Sequence, residues 1–369
     1  MRTLVALALS IAGLGACLGA CLGSGLHVQD PARDGASPQH QRPEDPAAGN
    51  RAEQDPESTG QTPIVRQKPA IDQSKTLELD AVRAPEGLGG RAFAHARKLV
   101  SFGPRYAGQP GWSKQLDYIV AELKAHGIEA RRDTWTDRKE LITFSNVSAT
   151  IPGKRKQRIV LACHHDTKCT TGHEDPEHNF HFVGANDGAS GVALLLALAP
   201  VLRARANQAT IELVFFDGEE SLDWNWNDAA RALFGSKRYV RRHRDALLMG
   251  EEARIEAVVL LDMVGRSDLH IQEELYSTDL LRRITWSAAV ATGHQKHFFR
   301  RAEAAADDHK PFLDVGIPAV DLIDLNGNPD WHTRHDTLAN MSADSLHKVA
   351  DVVLTMLPAV EQAYVIAPR

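Results

Sequence analysis

The run Ile211-Glu212-Leu213-Val214-Phe215-Phe216 has almost no polar face, and it leads at once into Asp217-Gly218-Glu219-Glu220. An apolar run this short, bounded by a glycine, reads as a strand buried on both faces. Such strands occupy the middle of α/β sheets, whose ligands bind just beyond the strands' carboxyl ends. Glu219 and Glu220 fall there, with Trp224 a few residues further on. Two adjacent acids at the mouth of a core strand repel each other unless a cation or a shared proton compensates. The rest of the chain has to supply one or the other.

Periodicity predicts helices over 88–101, 111–126, 189–204, 228–245, 278–292 and 342–363, the second with Leu116, Ile119, Val120 and Leu123 on one face. Strands are predicted over 128–135, 141–151, 158–164, 211–216, 257–262 and 318–323. From residue 158 onward strand and helix alternate. This predicts an α/β fold: a single globular domain with a mostly parallel twisted sheet and helices on both faces. The two early strands supply antiparallel edge pairing.

The amino terminus has a different composition. Met1-Arg2 precedes an apolar stretch, Leu4 to Leu14, too short to span a bilayer. Leu14-Gly15-Ala16-Cys17 then recurs as Leu18-Gly19-Ala20-Cys21, and both resemble a bacterial lipobox. Residues 1–21 are therefore expected to be an export signal in which Cys17 or Cys21 is lipidated. The expected location is outside the cytoplasm, as a membrane-anchored lipoprotein facing the periplasm or the exterior, or as a secreted protein. Residues 22–80 hold seven prolines between Pro31 and Pro69 among Gln, Asp and Glu, and read as a disordered linker. Residues 81–369 are left as the folded domain. The net charge of −6, from 48 acids and 42 bases with no long basic block, points away from nucleic acid and from a polybasic membrane contact. Beyond the signal only Cys163 and Cys169 remain. In an oxidising compartment they can bridge a short loop, or Cys163 is a small buried strand residue.

Polar residues gather at the predicted strand ends. His164-His165-Asp166 closes one strand, Asn186-Asp187-Gly188 precedes a helix, Asp262 ends Val258-Val259-Leu260-Leu261, and Trp331-His332-Thr333 lies beyond the last strand. One such residue is ordinarily a cap. Together with Glu219-Glu220 they place several carboxylates at one sheet edge, and burying these without a cation costs several kcal/mol per ion. Mixed imidazole and carboxylate donors suit zinc.

His164-x-Asp166, Asn186-Asp187, Gly218-Glu219-Glu220, Leu261-Asp262-Met263-Val264-Gly265 and His332 resemble the five-part pattern of the zinc aminopeptidase superfamily. Within it, His164-His165-Asp166-Thr167-Lys168, Phe182-Val183-Gly184-Ala185-Asn186-Asp187, Phe215 to Glu220 with Trp224, Asp307-Asp308-His309-Lys310-Pro311-Phe312-Leu313 and Trp331-His332-Thr333 look like animal-type zinc-dependent glutaminyl-peptide cyclotransferases. The resemblance spans about residues 85–365. It implies a zinc-aminopeptidase-like fold and cyclisation of N-terminal glutamine, or more slowly glutamate, to pyroglutamate. The partners it implies are peptide or protein N-termini bearing Gln. One Zn2+ would be held by Asp187, Glu220 and His332, with Glu219 as the acid/base. Asp262 and Asp307 would form an acidic relay beside it, and Trp224 and Trp331 the pocket walls.

Two departures accompany the resemblance. Gly327, in Leu325-Asn326-Gly327-Asn328-Pro329, stands where the family usually carries an aromatic residue, which implies a more open pocket. Val192 stands where animal members carry the cysteine that pairs with the one matching Cys163. Histidines 173, 178 and 181 read as solvated loop residues. The alternative activity is a two-zinc aminopeptidase, in which His164 and Asp262 join Asp187, Glu220 and His332 as ligands, Asp166 binds or supports the second metal, and Glu219 is the base that activates a bridging water. A third reading is a receptor-like ectodomain without chemistry. Zinc content separates the three.

Overall fold

The computed structural model describes residues 66–367. The segment expected to be an export signal, with its cysteines, and most of the expected linker lie outside the described residues. In chain order the elements are α1 (Leu88–Val100), α2 (Pro110–Ala125), β1 (Ala130–Thr136), β2 (Thr143–Ile151), β3 (Arg158–His164), α3 (Ala189–Ala204), β4 (Thr210–Phe216), α4 (Phe234–Leu248) and β5 (Ile255–Asp262). They continue with β6 (Ile271–Glu274), α5 (Asp279–Ala291), β7 (Phe298–Glu303), α6 (Lys310–Asp314), β8 (Ala319–Ile323) and α7 (Ala343–Glu361).

The main sheet has the order β1-β2-β4-β3-β5-β8. Strands β4, β3, β5 and β8 are mutually parallel, while β2 is antiparallel to both β1 and β4. Because side chains alternate along a strand, the sheet builds two cores. Ile159, Leu161, Leu213, Phe215, Val259 and Leu261 face α1, α2, α3, α5 and α7. Val160, Ala162, Val214, Phe216, Val258 and Leu260 face Val240 of α4 and Phe312 of α6. The four parallel strands are predominantly apolar because both of their faces are covered.

Three features differ from the sequence expectation. β6 and β7 form a small separate parallel pair that periodicity does not show. Ile271-Gln272-Glu273-Glu274 looks polar, yet all four are buried, with Glu273 paired to Arg282 and Glu274 to His309. The helix expected at 228 starts at Phe234, because Leu233 adopts a left-handed φ of 57° after a single 3-10 turn at Ala229–Arg231. The linker expected to reach residue 80 stops earlier. Residues 68–77 lie along the domain, with Lys68 N–H donating to Leu275 O, Arg282 to Pro69 O, Ile71 N–H to Glu273 and Leu77 N–H to Ser287 Oγ. Cys163, buried, and Cys169, exposed, remain thiols.

Candidate metal centre and its pocket

The parallel strands deliver their carboxyl ends to one edge, where His164, Glu219, Glu220 and Asp262 converge. Gly218 makes the turn that presents the acid pair. Its φ is 68°, and a Cβ there would fall 2.7 Å from the Phe144 ring, so a side chain is excluded twice over. Asp166 then pins the turn by accepting N–H bonds from Glu219 at 3.2 Å and Glu220 at 3.3 Å. Asp336 does the same for the second loop, accepting from Asn186 N–H at 2.7 Å and Asp187 N–H at 3.0 Å. Asp166 thus supports the backbone and belongs to none of the donor clusters among the described residues.

Donor atoms of Asp187, Glu220 and His332 lie within 4.8 Å of one another, all buried. His332 Nε2 is 3.1 Å from Glu220 Oε2 and 3.4 Å from Asp187 Oδ2. Both carboxylate oxygens are buried without a hydrogen-bond partner. Orphaned acceptors aimed at one point beside an imidazole are what a cation would satisfy, and one imidazole with two carboxylates matches a catalytic zinc site with an open position. Burial works against a charged His332, but the Glu220 and Asp187 carboxylates override it and lift its pKa to about 9. The His332 backbone also sits at a φ of 52°, a left-handed strain of the kind stored at functional sites. A second cluster, His164, Asp187 and Asp262, shares Asp187 with the first, with His164 Nε2 3.0 Å from Asp262 Oδ1 and 3.3 Å from Asp187 Oδ1.

One expected result follows from His332. Without metal its imidazole keeps a proton at neutral pH, and an imidazole must lose that proton to bind a metal. Metal uptake is therefore expected to release that proton below pH about 9. Affinity should rise with pH up to that point and flatten above it. Calorimetric titration in buffers of differing ionisation enthalpy measures this directly, and a pH-independent affinity would remove His332 from the ligand set.

Glu219 is buried beside the triad but outside it. Burial, with Asp307, Glu220 and Asp308 adding like charge, pushes its carboxyl well above the ordinary range. Burial likewise raises Asp262 to about 7 and raises Asp307. Three acids whose carboxyls are all shifted upward thus face one cavity of about 740 Å³, lined also by Asp187, Glu220 and His332. Trp224 and Trp331 both line it. Trp331 stacks on His332 with ring centroids 4.3 Å apart, and Trp224 stacks on His178 at 3.8 Å. His178 and His173 therefore brace a pocket wall instead of standing solvated. Leu325, not Gly327, reaches the cavity; Gly327 turns at a φ of 82° against Arg301.

Three supporting groups surround the site; Asp336 and Arg105 carry no signal in the sequence, whereas Lys168 closes the His164–Lys168 stretch of the resemblance. Asp336 follows the His332 motif without a pattern of its own. Arg105, fully buried, braces the loop before Asp187 through Val183 O and Gly184 O. Lys168 lies 3.7 Å from Glu220 and bonds Ser221 O and Asp223 O, which fixes the loop carrying Trp224.

The sequence profile of peptidase family M28 matches residues 146–357. A glutaminyl-peptide cyclotransferase-like protein of Mus musculus is 31% identical over 284 residues, covering 70% of this chain and 72% of the relative. The crystal structure of an Acidobacteriales bacterium glutaminyl cyclase superposes with a TM-score of 0.65 at 33% identity, covering 80% of this chain and 99% of that one. A Bacteroides thetaiotaomicron glutaminyl cyclase bound to N-acetylhistamine gives 0.66 at 25% identity, with 75% and 99% covered. The chain belongs to peptidase family M28, alongside its glutaminyl-peptide cyclotransferase relatives.

Proposed function

We propose that the chain is a metal-dependent glutaminyl cyclase, exported and held at a membrane through Cys17 or Cys21, which acts on peptide or protein N-termini beginning with Gln. The observation that carries this reading is the placing of Glu219: a buried, proton-holding acid next to a three-donor metal site, in a pocket walled by two tryptophans. The relatives named glutaminyl cyclase support it.

Cyclisation joins the substrate's α-nitrogen to its own side-chain amide carbon and breaks that carbon's bond to the departing nitrogen, releasing ammonia. A single zinc held by Asp187, Glu220 and His332 would polarise the amide oxygen as a Lewis acid. Glu219 takes a proton from the attacking amine and delivers one to the leaving group; a carboxyl with a raised pKa serves both halves. Asp262 and Asp307, beside it, form an acidic relay that takes up and returns the proton Glu219 carries. Trp224 and Trp331 hold the short side chain folded over its own amine, which raises the effective concentration of the nucleophile. No activated water is required.

The His164, Asp187 and Asp262 cluster favours a second reading, a two-zinc aminopeptidase. A Gln-initiated peptide incubated with the zinc-loaded protein separates the two. Mass spectrometry is expected to show the intact peptide less ammonia. Release of free glutamine with a shortened peptide would establish the hydrolase instead.

A further inference from the structure

The pocket uses one edge of the sheet, and the opposite edge, where the parallel strands begin, is of another character. β2 turns into β3 through Gly153-Lys154-Arg155-Lys156, whose three cations are all exposed. The turn is fixed by Lys154 N–H donating to Asn207 O and Arg155 N–H to Gln208 O. Its Gly153 has no room for a side chain, since a Cβ would fall 1.9 Å from Ala209 O. Arg254, exposed just before β5, lines a groove of about 470 Å³ together with Lys156. Close by along the chain, α4 ends in Leu247-Leu248-Met249, with Leu248 80% and Met249 71% exposed. Arg241 and Arg244 precede them on the solvent stripe of α4, opposite buried Ser236, Val240 and His243.

Most acids of this edge are engaged. Glu252 is 2.6 Å from Arg158, Glu361 is 2.5 Å from Arg205, and Glu256 is 3.9 Å from Arg254; Asp245 and Glu251 are exposed. The amino-terminal segment reaches the domain at the same edge. Lys68 bonds Leu275 O and Ser277 O, and the next residue, Thr278, is hydrogen-bonded to Ala319 at the start of β8.

We propose that this edge seats on a bilayer surface of anionic phospholipid. The headgroup phosphates meet Lys154, Arg155, Lys156 and Arg254, and Leu248 and Met249 enter the headgroup layer. The sequence shows no such surface, because its parts come from three separated stretches and meet only in the fold. With strands of five to eight residues rising about 3.3 Å each, the two edges stand about 20 Å apart, so the pocket faces away from the lipid. Peptide N-termini then reach it from solvent. The contact is additional to the lipid attachment proposed for Cys17 or Cys21 and is tested without it.

The test uses residues 62–369, the compact unit that holds both cores and lacks both amino-terminal cysteines. It is expected to sediment with phosphatidylcholine vesicles containing phosphatidylglycerol, not with phosphatidylcholine alone, and to release as salt is raised. Lys154→Gln, Arg155→Gln and Lys156→Gln combined should weaken binding about a hundredfold, at about fivefold per charge. Leu248→Asp with Met249→Asp should remove the part that survives salt. Turnover of a soluble Gln peptide is expected to be unchanged in both variants, since none of these residues lines the pocket. Equal sedimentation with both vesicle types, or an unaltered triple variant, would overturn the proposal. So would tighter retention on DNA than on the vesicles. None of these outcomes bears on the cyclase reading, which the soluble turnover reports independently.

Discussion

Replacing Glu219 by Gln is expected to lower kcat about 10²–10⁴-fold while the metal stays bound. The substitution keeps shape and volume but removes the proton carrier. Glu219 lies outside the Asp187, Glu220, His332 cluster, and its N–H, held by Asp166, is untouched by the change. The fall should therefore appear in kcat with little movement in KM, and metal content by plasma emission should match the parent protein. A variant that loses its metal together with its activity would show that the two glutamates have been assigned in reverse.

Glu220→Ala is expected to do the opposite: empty the site and reduce turnover to background. It leaves Asp187 and His332 as the remaining members of the triad. It also removes the carboxylate beside the buried Lys168 ammonium, 3.7 Å away, and breaking a buried pair costs about 3–5 kcal/mol. Lys168 keeps its two carbonyl partners, which holds the loss toward the lower end. The cleanest readout is thermal. The parent protein should melt lower after chelation and recover with added zinc, because a ligand that binds only the folded state stabilises it. The alanine variant should melt at one temperature whether zinc is present or chelated. Recovery of the zinc response in Glu220→Ala would remove that glutamate from the metal site.

The parts of the fold that were legible are those set by local periodicity. β3 covers Arg158–His164 as read, since an uninterrupted apolar run between turn residues has one physical interpretation. β4 was read to within one residue, at Thr210–Phe216, and α3, whose length suits a helix, at its observed bounds Ala189–Ala204. β6 was hidden because its Gln272, Glu273 and Glu274 are buried only by virtue of distant partners, among them Arg282 and His309. The acid pair, Asp187 and His332 could be singled out by their places at strand ends. Asp336 and Arg105 could not, since they act on backbone groups of a loop far away in sequence. Asp166 was legible as a polar strand-end residue, but its task of holding two N–H groups appears only once the turn is folded.

The polar stretch 68–77 is linker by composition and structure by bonding, and this sets where the protein can be shortened. A chain begun at residue 81 would leave the Arg282 guanidinium, 1% exposed at its side chain, without the Pro69 carbonyl, and Glu273 without the Ile71 N–H. It would also strip Gln73 O from the Trp286 indole and Ile71 and Leu79 from the edge of the larger core. Each bond is worth about 1 kcal/mol, so the cut would remove several kcal/mol from a fold whose whole margin is about 5–15 kcal/mol. Trimming ahead of residue 66 forfeits none of these contacts. The working boundary of the enzyme is therefore fixed by where the strap begins, not by where its hydrophobic pattern does.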